Sequence, residues 1–244
     1  MPDIIFHHYP QSPVSEKVRV VLGMKDLNWH SVEIPRFLPK PNLIPLTGGY
    51  RRTPVMQIGA NVYCDSQRII GELERCVETP TLFPGGSEGL AWGVSRWTDG
   101  PLFKLIIAAI FGEQGHELPE EFKSDRGRMY FGPNFEIEKL IRQLSENLAQ
   151  IRAQLHWIEQ RLEDRRNYLL GDQPGLPDAL CYYLVWFFRG RVDAGASLLQ
   201  QFPRLEAWEQ RVKAIGRVEM WRGGVRHSLL LPPLSSGGAS IAEP

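Results

Sequence analysis

The sequence has few cysteines, no excess of either charge and no long hydrophobic run, and each absence excludes a class of protein. Cys64, Cys76 and Cys181 show no Cys-X-X-Cys or His-rich spacing, so neither a disulfide framework nor a zinc site is expected. The 28 Lys and Arg residues balance the 28 Asp and Glu residues, and no basic block is visible. A nucleic-acid or anionic-membrane partner therefore has no electrostatic support.

The hydrophobic residues are also distributed in short groups. No stretch approaches the roughly 20 apolar residues that a membrane span needs. The N-terminal residues lack the basic region and the apolar run of a signal peptide. We therefore expect a cytoplasmic protein, without a membrane or nucleic-acid partner and without a bound metal, that acts on a small molecule.

What is present is enough apolar material for two modest domains, since 43% of the 244 residues are hydrophobic. The first part predicts a β-α-β unit followed by a β-β-α unit, which together form a mixed sheet. The predicted strands are 4–6, 29–34, 55–58 and 61–64, and the predicted helices are 14–24 and 66–74.

The second part is predicted to be helical. Apolar residues recur at steps of three and four from Ile137 to Leu162, which predicts one helix of about 30 residues. Further helices are predicted at 88–111, 177–190 and 204–214, with 112–134 irregular or only briefly helical. The predicted organisation is an α/β domain over 1–79, a Pro- and Gly-rich linker over 80–87, an all-α domain over 88–230 and a loose tail over 231–244.

Residues 52–66 carry the most informative pattern in the chain. Pro54 opens a predicted strand, and because proline has no N–H, it indicates a strand edge, a bend or a cis peptide bond. The backbone of Val55 is then available to a peptide-like ligand laid against the strand. Asp65 and Ser66 stand where the next helix begins, so they are expected at one end of such a ligand. Plain helix capping and a trans proline at a strand edge are the alternatives.

A second candidate position lies at the start of the first helix. Ser12 directly precedes Pro13, and proline is preferred in the first turn of a helix, so Ser12 is expected to be the N-cap. Its hydroxyl then points into the preceding loop. From these residues alone, an ordinary cap without a ligand is an equally good interpretation.

The combined pattern resembles the cytosolic glutathione transferases, in which a thioredoxin-like domain precedes an all-α domain. The run 171–178 is similar to the signature of the second domain of that superfamily, although Gly175 stands where Ser or Thr is usual. Asp178 is still expected to accept a hydrogen bond from the Gly175 N–H. The resemblance implies glutathione as co-substrate, a small apolar electrophile as partner, a homodimer and a role in detoxification.

The resemblance implies that the centre of the site holds the cysteinyl unit of glutathione. Ser12 is the candidate donor to the sulfur, with Tyr9 and Ser15 as alternatives. A cis peptide bond before Pro54 turns the N–H and C=O of Val55 toward the same unit. The serine hydroxyl stabilises a thiolate and needs no histidine base.

The two ends of glutathione are assigned by the same resemblance. Arg52, which with Thr53 opens the 52–66 run, is expected to pair with the glycyl carboxylate, and a solvated surface arginine is the alternative. Ser66, at a helix N-terminus, binds the γ-glutamyl carboxylate, and Asp65 holds the ammonium group.

The electrophile is expected to lie against aromatic side chains of the second domain, with Trp97 and Phe103 as candidates, although aromatics at helical spacing are more often core residues. Three functions remain open. The first is transfer of the glutathione sulfur to an apolar electrophile, and the second is a glutathione-dependent isomerase or dehalogenase. The third is a non-catalytic protein that binds glutathione or another ligand, or serves as a scaffold. A serine at position 12 argues against thiol-disulfide exchange, because it cannot form the mixed disulfide.

Overall fold

The computed structural model describes residues 3–163 and 166–215. The first unit is a four-stranded sheet in the order β2-β1-β3-β4. β1 runs parallel to β2, and β3 runs antiparallel to both β1 and β4, which confirms the predicted mixed sheet. The elements are β1 (Ile4–His8), α1 (Pro13–Met24), β2 (His30–Glu33), β3 (Val55–Ile58), β4 (Asn61–Cys64) and α2 (Ser66–Cys76).

The position of β3 corrects one interpretation of Pro54. β3 is an interior strand, and Val55 lies opposite His7 of β1 and opposite Cys64 of β4. The strand-edge alternative is therefore wrong, because both sides of β3 are occupied by neighbouring strands. The cis alternative is correct, since the Thr53-Pro54 peptide bond is cis.

The segment between the two units is held by both of them. The Lys25 Nζ, at the end of α1, donates to the carbonyls of Val77 at 2.6 Å and Pro80 at 2.7 Å. The carbonyl of Leu82, which is buried, accepts from the N–H of Leu176 at 2.8 Å. The predicted linker is thus an ordered connection that packs on the sheet unit and on the helical unit.

The second unit is helical, as predicted. The helices at 177–190 and 204–214 are confirmed, and the one at 88–111 is confirmed with an interruption at a π-helical turn, Thr98–Leu102, which contains Pro101. Proline lacks the N–H that a regular α-helical turn would use there. The helices are α3 (Glu88–Trp97), α4 (Phe103–Gln114), α5 (Glu120–Phe131), α6 (Ile137–Arg142), α7 (Leu144–Arg161), α8 (Leu176–Arg189), α9 (Asp193–Leu199) and α10 (Pro203–Ile215).

The single long helix predicted from Ile137 to Leu162 is wrong. The helix is interrupted at Gln143, which has φ −91° and ψ 4°. Two helices, α6 and α7, form in its place. Both helices pack on α4, so the apolar stripe continues across the break. The backbone of α6 approaches α4 so closely that a Cβ on Gly112 would lie 2.6 Å from the Leu140 carbonyl oxygen.

The second-domain signature forms the hydrogen bond expected of it. The Asp178 carboxylate accepts from the N–H of Gly175 at 2.9 Å, from the N–H of Leu169 at 2.9 Å and from Trp208 Nε1 at 2.7 Å. Burial raises the pKa of Asp178 to about 6, against the opposing effect of these donors. The rest of the predicted second domain, 216–230, and the predicted tail, 231–244, lie outside the described residues. Within the described ranges, no helix is both long enough and apolar enough to cross a membrane.

Candidate functional site

A cleft of about 370 Å³ lies between the sheet unit and the helical unit. The predicted site residues that line it are Tyr9, Ser12, Arg52, Thr53, Asp65, Ser66 and Phe103. The structure therefore brings together side chains from three separate parts of the sequence. Of the other predicted site residues, Ser15, Pro54 and Val55 are buried and do not line the cleft, and neither does Trp97.

Ser12 is the N-cap of α1, as predicted, and its side chain is nearly buried. Its hydroxyl oxygen accepts from the Ser15 N–H at 3.2 Å and from the Ser15 hydroxyl at 2.9 Å. Because a hydroxyl oxygen has two lone pairs and one hydrogen, these two contacts leave the Ser12 hydrogen to donate. Ser12 can therefore donate a hydrogen bond to a negatively charged atom in the cleft.

The loop that leads to α1 is held by Arg19. This side chain donates to the Pro10 carbonyl at 3.0 Å and to His8 Nδ1 at 2.9 Å. Since arginine can only donate, His8 Nδ1 must accept, and His8 Nε2 donates to the Ser31 hydroxyl at 2.8 Å. Burial, the Arg19 charge and the His7 side chain lower the pKa of His8 to about 3. His8 is thus a neutral support of the loop.

The start of α2 forms another part of the wall. Asp65 has a positive φ of 73°, and its Oδ1 accepts from the Gln67 N–H at 2.8 Å, so it is the N-cap that the sequence predicts. Ser66 opens the helix and is buried except toward the cleft. The unpaired N–H groups and the dipole of a helix N-terminus favour an anion. This end of the cleft is suited to a carboxylate.

Next to it, the 52–66 run is supported by Lys40, a residue that was not predicted to belong to the site. Lys40 Nζ donates to the Thr53 hydroxyl at 2.9 Å and to the Arg51 carbonyl at 3.0 Å. Burial, together with the charges of Arg126 and Arg51, lowers the pKa of Lys40 to about 8. Arg52 is exposed and presents a cation at the cleft. Lys40 lies in a Pro-rich stretch without periodicity, so no local pattern indicated its role.

The helical wall contains an acidic group that the sequence analysis also missed. Asp99 lies in the π-helical turn and accepts from Lys17 Nζ at 2.7 Å, from the Tyr183 hydroxyl at 2.8 Å and from the Ser95 hydroxyl at 2.8 Å. Burial by itself would raise the pKa of Asp99, but the Lys17 charge and these three donors outweigh it and lower the pKa. Lys17 is fully buried on α1, so this ion pair joins the two units beside the cleft.

The two aromatic candidates for the electrophile site have different positions. Phe103 lines the cleft, and its ring centroid is 5.5 Å from that of Tyr130. Trp97 does not line the cleft. Its Nε1 donates to Gln154 Oε1 at 2.7 Å, and its ring centroid is 5.6 Å from that of Trp157. The π-helical turn lies between the two aromatic residues, and only Phe103 lines the cleft.

The acidic, histidine and cysteine side chains of residues 3–163 and 166–215 include no cluster of three or more placed to hold a metal ion. His7 and His8, which are adjacent on β1, have separate partners, since His7 Nε2 bonds to Gln57 Oε1 at 2.9 Å. The absence of a metal cofactor stays a prediction.

Comparison with known proteins agrees with this architecture. The family model described as "Glutathione S-transferase, N-terminal domain" matches residues 6–81, and "Glutathione S-transferase, C-terminal domain" matches residues 142–211. A GST-like protein from Pseudomonas syringae is 32% identical over 88% of this chain and 68% of its own, with a TM-score of 0.67. No curated protein gives a significant match.

Two further solved structures share the fold at lower identity. A glutathione S-transferase from Rhodospirillum rubrum is 21% identical over 86% of this chain and 88% of its own, with a TM-score of 0.64. A glutathione S-transferase I bound with the ligand lactoylglutathione is 17% identical over 89% of this chain and 100% of its own, with a TM-score of 0.62.

Proposed function

The chain belongs to the glutathione S-transferase superfamily, and from this premise we propose that it binds glutathione in the cleft and activates the thiol as a thiolate that attacks an apolar electrophile. The observation that carries the proposal is the Ser12 hydroxyl. It lines the cleft, and its two lone pairs are occupied by Ser15, so its hydrogen is left to donate to sulfur.

The chemistry required is a shift of the thiol pKa. A free cysteine thiol has a pKa of about 8.5, so little thiolate is present at neutral pH. A hydrogen bond to sulfur and the positive end of α1 both favour the charged form. Ser12 supplies the hydrogen bond, and because Ser12 is the N-cap, the sulfur also lies near the positive end of α1. The thiol proton goes to solvent as the thiolate forms. The sulfur then bonds to a carbon of the electrophile, and a π bond at that carbon, or its bond to a leaving group, breaks with the electron pair leaving the carbon.

The same cleft supplies groups for the two ends of glutathione. Ser66 and the N-terminus of α2 take the γ-glutamyl carboxylate, while Asp65 takes the ammonium group. Arg52, on the opposite side of the Thr53-Pro54 bond from Val55, pairs with the glycyl carboxylate. The related structure that holds lactoylglutathione supports a glutathione derivative as the ligand of this fold.

The alternatives share part of this machinery. An isomerase or a dehalogenase would use the same thiolate and would differ in the fate of the electrophile. A binding or scaffold protein would use the cleft without turnover. Tyr9 also lines the cleft and is the rival donor to sulfur. A cytoplasmic homodimer that detoxifies small electrophiles is the setting typical of the superfamily and forms part of the proposal.

The deciding experiment is an ultraviolet titration of the thiolate of bound glutathione. We expect the wild type to lower the thiol pKa by about one unit or more, which is about 1.4 kcal/mol of thiolate stabilisation. Ser12→Ala should return it toward the free value, while Tyr9→Phe should leave it low. An unchanged pKa in Ser12→Ala would remove Ser12 from the mechanism, and a raised pKa in Tyr9→Phe would assign the role to Tyr9. Binding without turnover of any of a panel of electrophiles would favour the binding protein.

A further inference from the structure

A second cavity, of about 80 Å³, adjoins the cleft. The two cavities share Tyr9, Pro13, Arg126 and Tyr130 as lining residues, and Ser66 lines only the larger one. Sites for whole drug-sized ligands measure roughly 300–1,000 Å³. The small cavity can therefore take only one end of a molecule whose remainder lies in the cleft.

The lining of this small cavity combines an apolar floor with cations. Ile107, Ile110, Phe111 and Phe122 belong to the helical unit and contribute hydrocarbon surface. The charged residues of the lining are three arginines, and among the described residues no Asp or Glu lines it. They are Arg36, Arg126 and Arg191.

The three guanidinium groups differ in how far they are neutralised. Arg126 lies 3.7 Å from Asp125, which itself pairs with Arg51 at 2.6 Å. For Arg36 and Arg191, the described part of the chain offers no carboxylate within ion-pair distance. Two cations with no acidic partner among residues 3–163 and 166–215 are therefore held at one apolar cavity.

The positions of these two arginines are fixed by local contacts. The Arg36 guanidinium lies 5.4 Å from the centroid of the Phe122 ring. The Arg191 carbonyl accepts from Gln114 Nε2 at 2.5 Å, which anchors the base of its side chain on α4. Burial and the nearby charge of Arg36 lower the pKa of Arg191. An anion between the two guanidinium groups would relieve this repulsion and form charge-assisted hydrogen bonds.

We propose that the electrophile of this protein carries a carboxylate or a similar anionic group on an apolar body, and that Arg36 and Arg191 bind that group in the small cavity. The inference rests on the proposed function, since it names the class of its second substrate. A suitable probe reaction uses 4-(bromomethyl)benzoate. The glutathione sulfur forms a bond to the benzylic carbon, the carbon–bromine bond breaks, bromide leaves with the electron pair and the thiol proton goes to solvent.

The binding test compares glutathione conjugates that differ only in charge. S-(4-carboxybenzyl)glutathione and S-(4-carbamoylbenzyl)glutathione are titrated calorimetrically into the full chain, with S-benzylglutathione as reference. We expect the carboxylate to bind about tenfold more tightly than the amide. Arg191→Gln and Arg36→Gln should each reduce this preference to about twofold, and added salt should reduce it in the wild type. Arg191→Lys should retain part of it.

The matched control is Arg142→Gln, which removes an exposed arginine on α6 that lines neither cavity and should keep the full preference. Equal affinity of the wild type for the carboxylate and the amide conjugates would overturn the inference. So would an equal loss of affinity for all three conjugates in Arg191→Gln, because the arginine would then serve glutathione itself or the fold. If S-benzylglutathione fails to bind the wild type, the proposed function fails, and the inference fails with it.

Discussion

The two walls of the cleft hold their polar groups in different ways. On the sheet side, Ser12 and Asp65 are N-caps whose partners lie two or three residues away in sequence. On the helical side, Asp99 accepts from side chains of four helices, α1, α2, α3 and α8, and Lys17 is 82 residues away. The sheet wall is thus built from local backbone geometry, and the helical wall from long-range side-chain contacts. Substitutions in the sheet wall should alter the binding and the thiol pKa of the ligand. Substitutions in the helical wall should also lower the free energy of unfolding.

The largest effect is expected from Lys17→Met. This change removes the cation that compensates Asp99 in a buried pair, so the free energy of unfolding should fall by about 3 kcal/mol. Urea denaturation monitored by tryptophan fluorescence measures the loss. The double variant Lys17→Met with Asp99→Asn should recover part of it, because no uncompensated charge remains.

The control for this prediction is Lys104→Met, a substitution on α4 at a lysine that lines the cleft but forms no ion pair among the described residues. It should cost less than about 0.5 kcal/mol. A similar loss in Lys17→Met and Lys104→Met would mean that the Lys17–Asp99 pair holds the helical wall no more firmly than an unpaired lysine does, and the contrast would be wrong.

Local signals account for what could be predicted of the fold. The strands, α1 and α2 follow from short apolar runs and from caps at Ser12 and Asp65. The break at Gln143 could not be predicted, because the apolar spacing continues through it and only the packing of α6 and α7 on α4 reveals it. The same holds for α9, whose seven residues are too few for a clear period.

The site divides in the same way. Ser12 and Ser66 could be predicted because a cap residue is recognised from its immediate neighbours. Asp99 and Lys40 could not, because their roles depend on partners distant in sequence, such as Tyr183 and Thr53. Trp97 was predicted to line the electrophile site but does not line the cleft. Its aromatic character gave no information about which face of the helix it occupies.

A second prediction tests the sheet wall through its pH dependence. The pKa of His8 is about 3 in the folded protein and about 6.5 in the unfolded chain, so between these values the unfolded chain binds more protons. This contribution to stability is complete above about pH 6.5 and is lost as the pH falls toward 3. From pH 7.5 to pH 5 we expect His8 to reduce the free energy of unfolding by about 2 kcal/mol.

Urea denaturation at a series of pH values, limited to pH 5 and above, measures this slope before most carboxylates titrate. His8→Gln should remove the His8 part of this slope and leave the opposing part from Asp178, whose folded-state pKa of about 6 lies in the same window. His30→Gln, on the partly exposed neighbouring strand, should keep the wild-type slope. If His8→Gln retains the wild-type slope, another group causes the pH dependence of the free energy of unfolding. His8 would then not be a neutral side chain that supports the loop.

The smallest effect is expected from Ser15→Ala, which separates positioning from donation within the sheet wall. Ser15 is fully buried and donates to the Ser12 oxygen, so it acts on a ligand only through Ser12. Without the Ser15 hydroxyl, the Ser12 side chain is less firmly oriented. The thiol pKa of bound glutathione should therefore rise by about half a unit, or roughly 0.7 kcal/mol. In Ser12→Ala the further change Ser15→Ala should have no effect on that pKa, because the donor is already absent. The titration of the bound thiol in the two single variants and the double variant measures this. Additive shifts would show that Ser15 contacts the sulfur on its own account.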